Sequence, residues 1–281
     1  MRIDLHCHST ASDGTMSPQE LVELAESVDI QQLALTDHDC VDGISSAMQV
    51  SKVSDLRIIP GVEISVSWQG ITVHILGLNI DWKNAELCRG LESIQQFRIV
   101  RAEGIAEGLE QAGIEGALEG ATVLAGSSLL SRTHFAQFLI NEGKARKMQD
   151  VFKRYMVKGK PGYVPGEWVS LETALKWIHN AGGLASIAHP ARYKLSAGKL
   201  RQLIEEFMSF GGQGLEIVSG SHTDKQNHGM ASYARRYNLY GSIGSDFHGE
   251  HHPWRKMGLT AAVPDGVFPV WESPQWQHVY S

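Results

Sequence analysis

Histidine and acidic residues recur in this chain at the ends of short apolar runs, which restricts its fold to those that bring strand ends together. The first run, DLHCHSTASDG, covers residues 4–14. Residues two apart in a strand share a face, so His6 and His8 can bind one ion together, and Asp13 follows in a turn that can bend back. Five further motifs have the same placement: Thr36-Asp37-His38, Gly61-Val62-Glu63, Val73-His74, Ala188-His189-Pro190 and Ser245-Asp246-Phe247-His248. Six such motifs in one chain predict a multinuclear metal centre.

Each motif alone has a simpler interpretation. His74 in an apolar strand is typical of a hydrogen-bonded core histidine. Asp37-His38 could cap a strand, and His189-Pro190 could form a cis-proline corner. These interpretations are hard to hold together, because every motif is predicted at the same end of a strand. The remaining histidines lack that placement and are left out of the metal shell: His179, His222, His228, His251, His252 and His278.

Strand-like and helix-like segments alternate over the first eighty residues and again after residue 163. Ser17 and Glu20 flank Pro18 in a capping-box pattern, which predicts a helix start. Strands are predicted at 2–8, 32–36, 56–60, 61–65, 71–78, 184–188, 215–218 and 241–244, and helices at 43–50, 170–181, 200–210 and 232–237. Alternating β and α elements predict an α/β fold with a parallel sheet. The motifs follow the carboxyl ends of its strands, where barrel enzymes place their sites.

The pattern changes between residues 84 and 163, where no strand is predicted. One helical stripe comprises Leu87, Leu91, Ile94, Ile105 and Leu109. Four glycines are expected to break the segment into short helices: Gly113, Gly116, Gly120 and Gly126. A small core is expected from Phe135, Phe138, Leu139 and Phe152. We therefore predict a barrel domain from residues 1–83 and 164–281 and an all-helical insertion, a substrate-binding cap, at 84–163.

Bulk properties exclude several classes of protein. The 281 residues suffice for a large core, and no apolar stretch approaches the roughly 20 residues that span a bilayer. A signal-peptide apolar region is missing and the three cysteines lack CxxC spacing, so a cytoplasmic location is expected. Cys7 and Cys40 adjoin proposed ligands, but we interpret both as small buried fillers.

The net charge of −6 argues against a general nucleic-acid binder, but the charge is unevenly distributed. Residues 144–160 contain seven basic residues and one acid, a local charge of +6 that leaves −12 on the rest of the chain. The basic residues are Lys144, Arg146, Lys147, Lys153, Arg154, Lys158 and Lys160. This segment suits an anionic substrate, although a solvated helix face explains it equally well.

The chemistry of these residue types favours metal-assisted hydrolysis. Mixed histidine and carboxylate ligands suit Zn, Mn or Fe better than Mg or Ca. Glu63 and Asp246 are the candidates for bridging two ions, which can activate water and stabilise a leaving oxygen. The sequence contains neither a G-x-S-x-G motif nor a P-loop, so we predict hydrolysis of a phosphoester by direct water attack.

The motifs DLHCHSTASDG, TDHD, GVEIS, VHILG, AHP and GSDFH, in this order, resemble the polymerase-and-histidinol-phosphatase (PHP) superfamily. The resemblance covers nearly the whole chain. SRTHF at residues 131–135 and GKPGYV at 159–164 are similar to one subgroup, bacterial 3′,5′-nucleoside bisphosphate phosphatases that also act as 5′→3′ exoribonucleases (the RNase AM group). The resemblance implies a distorted (β/α)7 TIM-like barrel with three metal ions, commonly Mn, with Fe or Zn as alternatives.

Carried over position by position, the resemblance implies nine metal ligands, all filled by the expected residue types. They are His6, His8, Asp13, His38, Glu63, His74, His189, Asp246 and His248. The implied substrates are nucleoside 3′,5′-bisphosphates and 5′-phosphorylated oligoribonucleotides. One pocket for a 5′-phosphate would serve both reactions, because each breaks a bond of the phosphorus on the first nucleotide's 3′-oxygen. Neither a membrane nor an obligate protein partner is expected.

Arg132 and His134 are the leading phosphate-binding candidates, since an arginine fork suits bidentate phosphate contact. Further candidates are Arg98, Arg101, Lys160 and Arg192, each with a surface salt bridge as the alternative. Two competing functions stay open: a phosphatase for another small phosphoester such as histidinol phosphate, and a non-enzymatic metal-stabilised module. The basic insertion favours a substrate with two phosphates, and the intact ligand set favours an enzyme.

Overall fold

The computed structural model describes residues 1–51, 55–126, 129–250, 255–258 and 262–277. The chain divides into two compact units, one made of Met1–Glu92 with Trp168–Ser281 and the other of Ser93–Glu167. Within the described residues, every strand belongs to the first unit and the second unit is helical. The functional division into a barrel and a substrate-binding cap at residues 83 and 163 stays a prediction.

Eight strands and nine α-helices follow one another along the described chain. The strands are β1 Ile3–Cys7, β2 Gln32–Leu35, β3 Arg57–Trp68, β4 Ile71–Leu78, β5 Val169–Ser170, β6 Leu184–Ile187, β7 Gly214–Ser219 and β8 Tyr240–Gly244. The helices are α1 Pro18–Ser27, α2 Gly43–Ser51, α3 Ala85–Gln111, α4 Ala117–Ala125, α5 Arg132–Asn141, α6 Met148–Val151, α7 Leu171–Asn180, α8 Ala197–Ser209 and α9 Asp224–Tyr237. A π-helical turn, Phe152–Met156, follows α6, and three short 3₁₀ turns occupy Pro190–Tyr193, Val270–Glu272 and Pro274–Gln277.

Seven strands form one barrel-shaped sheet in the order β1-β2-β3-β4-β6-β7-β8, with β5 beside β3. The two ends of this order meet, because the Asp246 N–H donates to the His6 carbonyl (2.9 Å) and the His8 N–H donates to the Phe247 carbonyl (2.9 Å). The sheet is therefore nearly closed, and the predicted distorted (β/α)7 barrel is confirmed. Closure brings the start and the end of the chain's metal-ligand motifs together.

The prediction of a parallel sheet is wrong at β4, which runs antiparallel to both β3 and β6. Only Gln69 and Gly70 link β3 to β4, and both have positive φ (46° and 79°). Two such residues form the tight turn of a hairpin, whereas a parallel neighbour needs a crossover of a dozen residues or more. The short Gln-Gly connection was the sequence signal for this reversal.

Two of the predicted ligands lie within strands and not at their ends. The segments predicted as 56–60 and 61–65 form one continuous strand, β3, and Glu63 lies near its middle. His74 lies within β4, directly opposite Ser65 of β3. The β3–β4 hairpin extends past β2, whose last pair is Leu35 with Pro60, so Glu63 reaches the level of His38. The positions of Glu63 and His74 are therefore set by the register between neighbouring strands and not by where a strand ends.

Helix starts follow local capping signals. Ser17 caps α1 in the predicted capping box with Glu20. Helix α9 begins at Asp224, eight residues before the predicted start at Ser232, because Thr223 and Gln226 form a second capping box. Such reciprocal side-chain bonds satisfy backbone N–H groups that the first helical turn leaves free.

The helical unit has its own apolar core, built around Phe135 and Leu139, which are fully buried, with Phe138 packed against it. Gly113, Gly116 and Gly126 adopt positive φ at chain reversals, as expected of breaks. Gly120 does not break the chain: it lies inside α4, where an added Cβ would be 2.2 Å from the Phe138 ring. Here glycine allows close packing of helices α4 and α5.

Cys7 and Cys40 are buried, as predicted, at 0% and 2% exposure. The Cys7 thiol donates to the Ala34 carbonyl (3.3 Å) and packs away from the His6 side chain. Among the residues that the structure describes, no helix is both long enough and apolar enough to cross a membrane.

Candidate metal centre

The fold gathers all nine predicted ligands into overlapping clusters at one mouth of the barrel. Their donor atoms fall into four groups in which every pair lies within 4.8 Å. The groups are His8, Asp13, His38 and His248; His6, Glu63 and His189; His6, His8 and Asp246; and His38, Glu63 and His74. His6, His8, His38 and Glu63 each belong to two groups, so the four clusters form one continuous centre.

Glu63 lies at the middle of this centre and is fully buried. Its Oε2 lies 3.2 Å from the Nε2 atoms of both His6 and His8, and 3.1 Å from His38 Nδ1. Its Oε1 lies 2.9 Å from His74 Nδ1 and 2.9 Å from His189 Nε2. One carboxylate thus faces five imidazole nitrogens, which suits a group that bridges two cations.

Asp246 and Asp13 face the remaining side of the imidazole cluster. Asp246 Oδ1 lies 3.5 Å from His8 Nε2 and 3.5 Å from His248 Nδ1. Asp13 Oδ1 lies 3.3 Å from His248 Nε2 and 3.7 Å from His8 Nδ1. Asp13 reaches this position because the loop after β1 turns back at Gly14, where an added Cβ would be 2.2 Å from the His8 carbonyl oxygen.

The donor set fits divalent cations. The Nδ1 of His6 lies 3.0 Å from Glu216 Oε1, so donation to this carboxylate leaves Nε2 with a lone pair. That lone pair points at the Glu63 carboxylate and at His8 Nε2, 3.1 Å away. Lone pairs turned towards a carboxylate repel it unless a cation lies between them. In addition, His8 Nδ1, His38 Nδ1, Asp13 Oδ1 and Glu63 Oε2 are buried without a hydrogen-bond partner among the described residues.

The electrostatics agree with that chemistry. Burial alone would raise the pKa values of Glu63, Asp13 and Asp246, but the surrounding histidines hold all three well below their usual range. Burial lowers the pKa of His38 and of His189, which favours neutral imidazoles. Ionised carboxylates beside neutral imidazoles are the protonation states that metal ligands require.

The excess negative charge attracts protons where no cation is bound. Burial opposes protonation of His8, yet the carboxylates of Asp246 and Glu63, 3.5 and 3.2 Å from its Nε2, raise its pKa to about 9. The pKa of His6 is likewise raised, by Glu216 and Glu63 against the effect of burial. Positive charge at this position is therefore favourable, whether protons or metal ions supply it.

Buried carboxylates behind the nine ligands were not predicted as site residues. Glu216 of β7 receives His6 Nδ1 on Oε1 and the backbone N–H of His189 on Oε2. Asp37 accepts hydrogen bonds from the Ser9 backbone (2.7 Å) and from the Ser12 hydroxyl (2.6 Å), which fixes the loop that carries His8 and Asp13. A single acid inside the apolar run GLEIV was the available signal for Glu216.

Asp39 and Asp4 complete this supporting layer. Asp39 accepts from the backbone and the hydroxyl of Ser65 (2.6 and 2.8 Å), which ties the loop after β2 to β3. Asp4 accepts from the Ser245 backbone (2.8 Å), which holds the loop of Asp246 against β1. Asp4 lies two residues before His6 and four before His8, so the two-residue period of the strand places it on their face and could have identified it.

Two arginines and a tyrosine adjoin the centre. Arg192, a predicted phosphate-binding residue, lies with Nη1 3.3 Å from Asp246 Oδ2 and is half-exposed. Arg255, which was not predicted, lies with Nη2 3.1 Å from the same oxygen. The Tyr193 hydroxyl accepts from the His74 N–H (2.8 Å) and donates to the Ala188 carbonyl (2.9 Å), so it joins the segments that carry His74 and His189.

Three of the positive φ angles at non-glycine residues occur at ligands or beside them. His189 has a φ of 29° and Asp246 a φ of 54°, and Asp39, next to His38, has a φ of 49°. A positive φ raises the conformational free energy of a non-glycine residue by about 1–3 kcal/mol. Such a conformation persists only where contacts with the surrounding structure hold it. No cis peptide occurs among the described residues, so the cis-proline interpretation of His189-Pro190 is wrong.

Three of the other predicted substrate-binding residues come together within the helical unit. Burial lowers the pKa of Arg101 to about 10, and the charges of Arg132 and Arg98 add to the effect. Burial and the charge of Arg98 also lower the pKa of Arg132, whose guanidinium lies over the Phe152 ring. The Nδ1 of His134 accepts the backbone N–H of Ser131 and caps α5. Lys160 is exposed.

The histidines left out of the metal shell stay outside the four donor groups where the structure describes them. His179, His222 and His228 belong to none of these groups. His251, His252 and His278 lie outside the described residues.

Comparison with known proteins identifies the family. The PHP domain matches residues 4–217. The chain is 44% identical, over 96% of its length and 95% of the relative's, to the 3′,5′-nucleoside bisphosphate phosphatase of Chromobacterium violaceum. It is also 44% identical to the 5′-3′ exoribonuclease Rnm of Escherichia coli, over 97% of this chain and 94% of that protein. This chain belongs to the PHP domain family, and the resemblance inferred from its motifs is confirmed.

Solved structures give the same result. A Chromobacterium violaceum protein described as an amidohydrolase with bound sulfate superposes with a TM-score of 0.88 at 43% identity, covering 96% of this chain and 95% of that one. A Bifidobacterium adolescentis protein, described as a metal-dependent phosphoesterase, gives a TM-score of 0.76 at 25% identity over 94% and 93% of the two chains. These neighbours and the donor clusters support divalent metal as the cofactor.

Proposed function

We propose that this chain is a metal-dependent phosphoesterase with two activities. It removes the 3′-phosphate from nucleoside 3′,5′-bisphosphates, and it releases 5′-terminal nucleotides from 5′-phosphorylated RNA. One observation carries the proposal: a continuous cluster of nine histidine and carboxylate donors lies in a chain that is 44% identical, nearly end to end, to relatives with these two names. Both names denote hydrolases.

The nine residues of the four overlapping donor groups are the proposed ligands of three manganese ions, with iron or zinc as alternative metals. When bound, divalent ions polarise phosphoryl oxygens and lower the pKa of an attacking water. Glu63 and Asp246, which face histidines of different groups, are the proposed bridging residues. The more exposed donors, Asp13 and His74, have side-chain exposures of 25% and 22% and would border the substrate.

Arg192 and Arg255 are proposed to bind the reacting phosphoryl group. Both guanidinium groups lie within 3.3 Å of Asp246 Oδ2, at the edge of the donor cluster. Positive charge fixed at this edge stabilises the negative charge of a phosphoryl group without any rearrangement during the reaction. Arg192 is half-exposed, so its side chain can exchange its contact with Asp246 for a phosphate oxygen.

The arginine cluster of Arg98, Arg101 and Arg132 is the proposed pocket for the substrate's 5′-phosphate. Besides burial, the charges of Arg132 and Arg98 lower the pKa of Arg101, and the charge of Arg98 lowers the pKa of Arg132. These guanidinium groups therefore repel one another, and a dianionic phosphate relieves this repulsion. His134 and Lys160 are proposed to assist from the start of α5 and from the exposed loop after the π-helical turn. A pocket for the 5′-phosphate serves both substrates. In each of them the nucleotide that carries the 5′-phosphate is also the one whose 3′-oxygen is released from phosphorus.

A histidinol-phosphate phosphatase is not favoured, because the relatives reported above act, by their names, on nucleoside bisphosphates or RNA. A non-enzymatic module is disfavoured by the complete donor set. Phosphate release with added Mn²⁺ tests these alternatives on three substrates: 3′-phosphoadenosine 5′-phosphate, histidinol phosphate and a 5′-phosphorylated oligoribonucleotide, the last assayed by nucleotide release. The proposal requires activity on the first and third substrates, and a clear preference for histidinol phosphate would refute it.

A further inference from the structure

The helical unit carries an exposed basic surface that the proposed chemistry of the metal centre does not use. This surface, named here the basic surface, consists of the seven basic side chains between residues 144 and 160. All seven residues are exposed: Lys144, Arg146, Lys147, Lys153, Arg154, Lys158 and Lys160. Only Asp150 opposes their charge within the segment.

The fold holds this segment against the core of the helical unit. Ala145, Val151 and Met156 belong to its buried apolar core, at 9%, 0% and 2% exposure. They anchor the segment through α6 and the π-helical turn, while the basic side chains face solvent. Arg154 Nη1 lies 3.5 Å from the Lys144 carbonyl oxygen, so the start of the segment contacts the π-helical turn. This contact brings Lys144 and Arg154, ten residues apart in the chain, close together on the surface.

The cations of the basic surface are not neutralised by the protein. Within the part of the chain that the structure describes, none of the seven forms an ion pair with a carboxylate. Seven like charges held together raise the free energy of the folded state, and a polyanion lowers it. The rest of the chain carries a net charge of −12 and repels such a ligand, so this segment is where favourable contact is expected.

The neighbouring loop adds aromatic and apolar groups. Tyr163, 37% exposed, follows Lys160 in a turn closed by its N–H donating to the Lys160 carbonyl (3.0 Å). Val157 is 44% exposed beside Lys158. Single-stranded nucleic acids bind where cations contact phosphates and aromatic rings stack on bases. This combination favours RNA over an acidic protein as the ligand.

We propose that the basic surface binds the phosphate backbone of the RNA substrate beyond its 5′-terminal nucleotide. The inference rests on the proposed exoribonuclease activity and extends it, because a nucleoside bisphosphate has no such backbone. Apart from Lys160, which is also proposed at the 5′-phosphate pocket, the surface therefore distinguishes the two activities: it strengthens use of RNA and leaves hydrolysis of the bisphosphate unchanged.

A triple variant tests the inference in the full chain. Lys144→Gln, Lys147→Gln and Lys153→Gln remove three charges from exposed positions and leave every proposed ligand of the small substrate intact. The matched control, Lys83→Gln with Lys176→Gln and Lys225→Gln, removes three exposed charges from the other unit. For each protein, kcat/KM is measured with Mn²⁺ on 3′-phosphoadenosine 5′-phosphate, on a 5′-phosphorylated dinucleotide and on a longer 5′-phosphorylated RNA, over a range of salt concentrations.

We expect the variant to lose about tenfold in kcat/KM on an RNA of about 20 nucleotides at low salt, less on the dinucleotide, and nothing on the bisphosphate. The slope of log kcat/KM against log salt concentration should become less negative by about 2, because each of the three lost phosphate contacts contributes about 0.7 to the slope. The control should match the wild type on all three substrates.

Equal kcat/KM for variant and wild type on the longer RNA would overturn the inference, as would an equal loss on all three substrates. Either result leaves the proposed function intact, provided the wild type digests RNA. Wild-type protein that releases phosphate from the bisphosphate but no nucleotide from RNA would refute the exoribonuclease activity, and with it this use of the surface.

Discussion

Replacing Glu216 with glutamine should weaken metal binding, although Glu216 lies behind the nine proposed ligands. Its two oxygens serve two different donors, the Nδ1–H of His6 at 3.0 Å and the backbone N–H of His189. Glutamine has a single acceptor oxygen, so its NH₂ group must face one of these donors. The side chain is fully buried, so water cannot replace the lost hydrogen bond.

The cost follows from that donor conflict. A buried donor without an acceptor costs about 1–3 kcal/mol, which corresponds to roughly 5- to 150-fold in an equilibrium constant. Loss of a carboxylate that orients a ligating histidine typically costs about 10–100-fold in metal affinity or activity. We therefore expect the Mn²⁺ concentration for half-maximal activity to rise about 10–100-fold in Glu216→Gln. Much of the activity should return at saturating Mn²⁺, because the direct donors remain.

Calorimetric titration of the metal-free protein with Mn²⁺ and the Mn²⁺ dependence of bisphosphate hydrolysis measure this effect independently. Glu172→Gln removes an exposed acid at the start of α7 and serves as the matched control. Circular dichroism and thermal melting of both variants separate weakened metal binding from loss of the fold. An Mn²⁺ affinity for Glu216→Gln within about twofold of the wild type would refute the proposed orientation of His6.

Four further results are expected. His8→Ala and Asp246→Ala should each abolish bisphosphate hydrolysis while the metal-free protein stays folded by circular dichroism, and near-wild-type turnover would count against the multinuclear centre. Arg132→Ala should reduce kcat/KM about 10–100-fold on substrates with a 5′-phosphate, with little change on a 3′-monophosphate that lacks it; an equal loss on both would contradict the pocket assignment. The carboxylates of Asp246 and Glu63 raise the His8 pKa from 6.5 to about 9 in the metal-free protein, against the effect of burial, so this contribution, up to about 3 kcal/mol, is present below pH 6.5 and lost as pH rises through 9. The Tm gained on adding Mn²⁺ should therefore increase from pH 6.5 to 9, and a gain independent of pH would refute the competition between proton and metal. Gly120→Ala should lower stability by about 1–3 kcal/mol in denaturant unfolding, because its Cβ would overlap the Phe138 ring.

Local chemistry accounts for much of what could be predicted from the chain. The two-residue period of a strand puts His6 and His8 on one face, and Ser17 with Glu20 starts α1 through neighbouring backbone groups. Both rules act within a few residues, so the sequence is sufficient to apply them. The same locality limits the prediction of α9, whose capping residues at Thr223 and Gln226 precede any apolar repeat.

A local turn decided the direction of β4, whereas tertiary contacts decided the role of Glu63. The Gln69-Gly70 turn reverses the chain, and the hairpin then extends past β2 until Glu63 lies opposite His38. A pattern of strands and helices does not contain this offset, because register depends on which strands become neighbours. His74 joins the centre for the same reason, although its sequence context is that of a core histidine.

The sequence by itself determined which donors this protein possesses, since residue type and strand period are properties of the chain. The tertiary structure alone decided which donor each supporting group contacts. Glu216 reaches His6 across 210 positions in the chain, and Arg255 reaches Asp246 from a segment without a recognisable motif. A buried carboxylate accepts a hydrogen bond from a histidine, or pairs with an arginine, only when the two groups lie within a few ångströms. The strength of hydrogen bonds and of charge interactions decreases over that range. Only the closed barrel sets those distances.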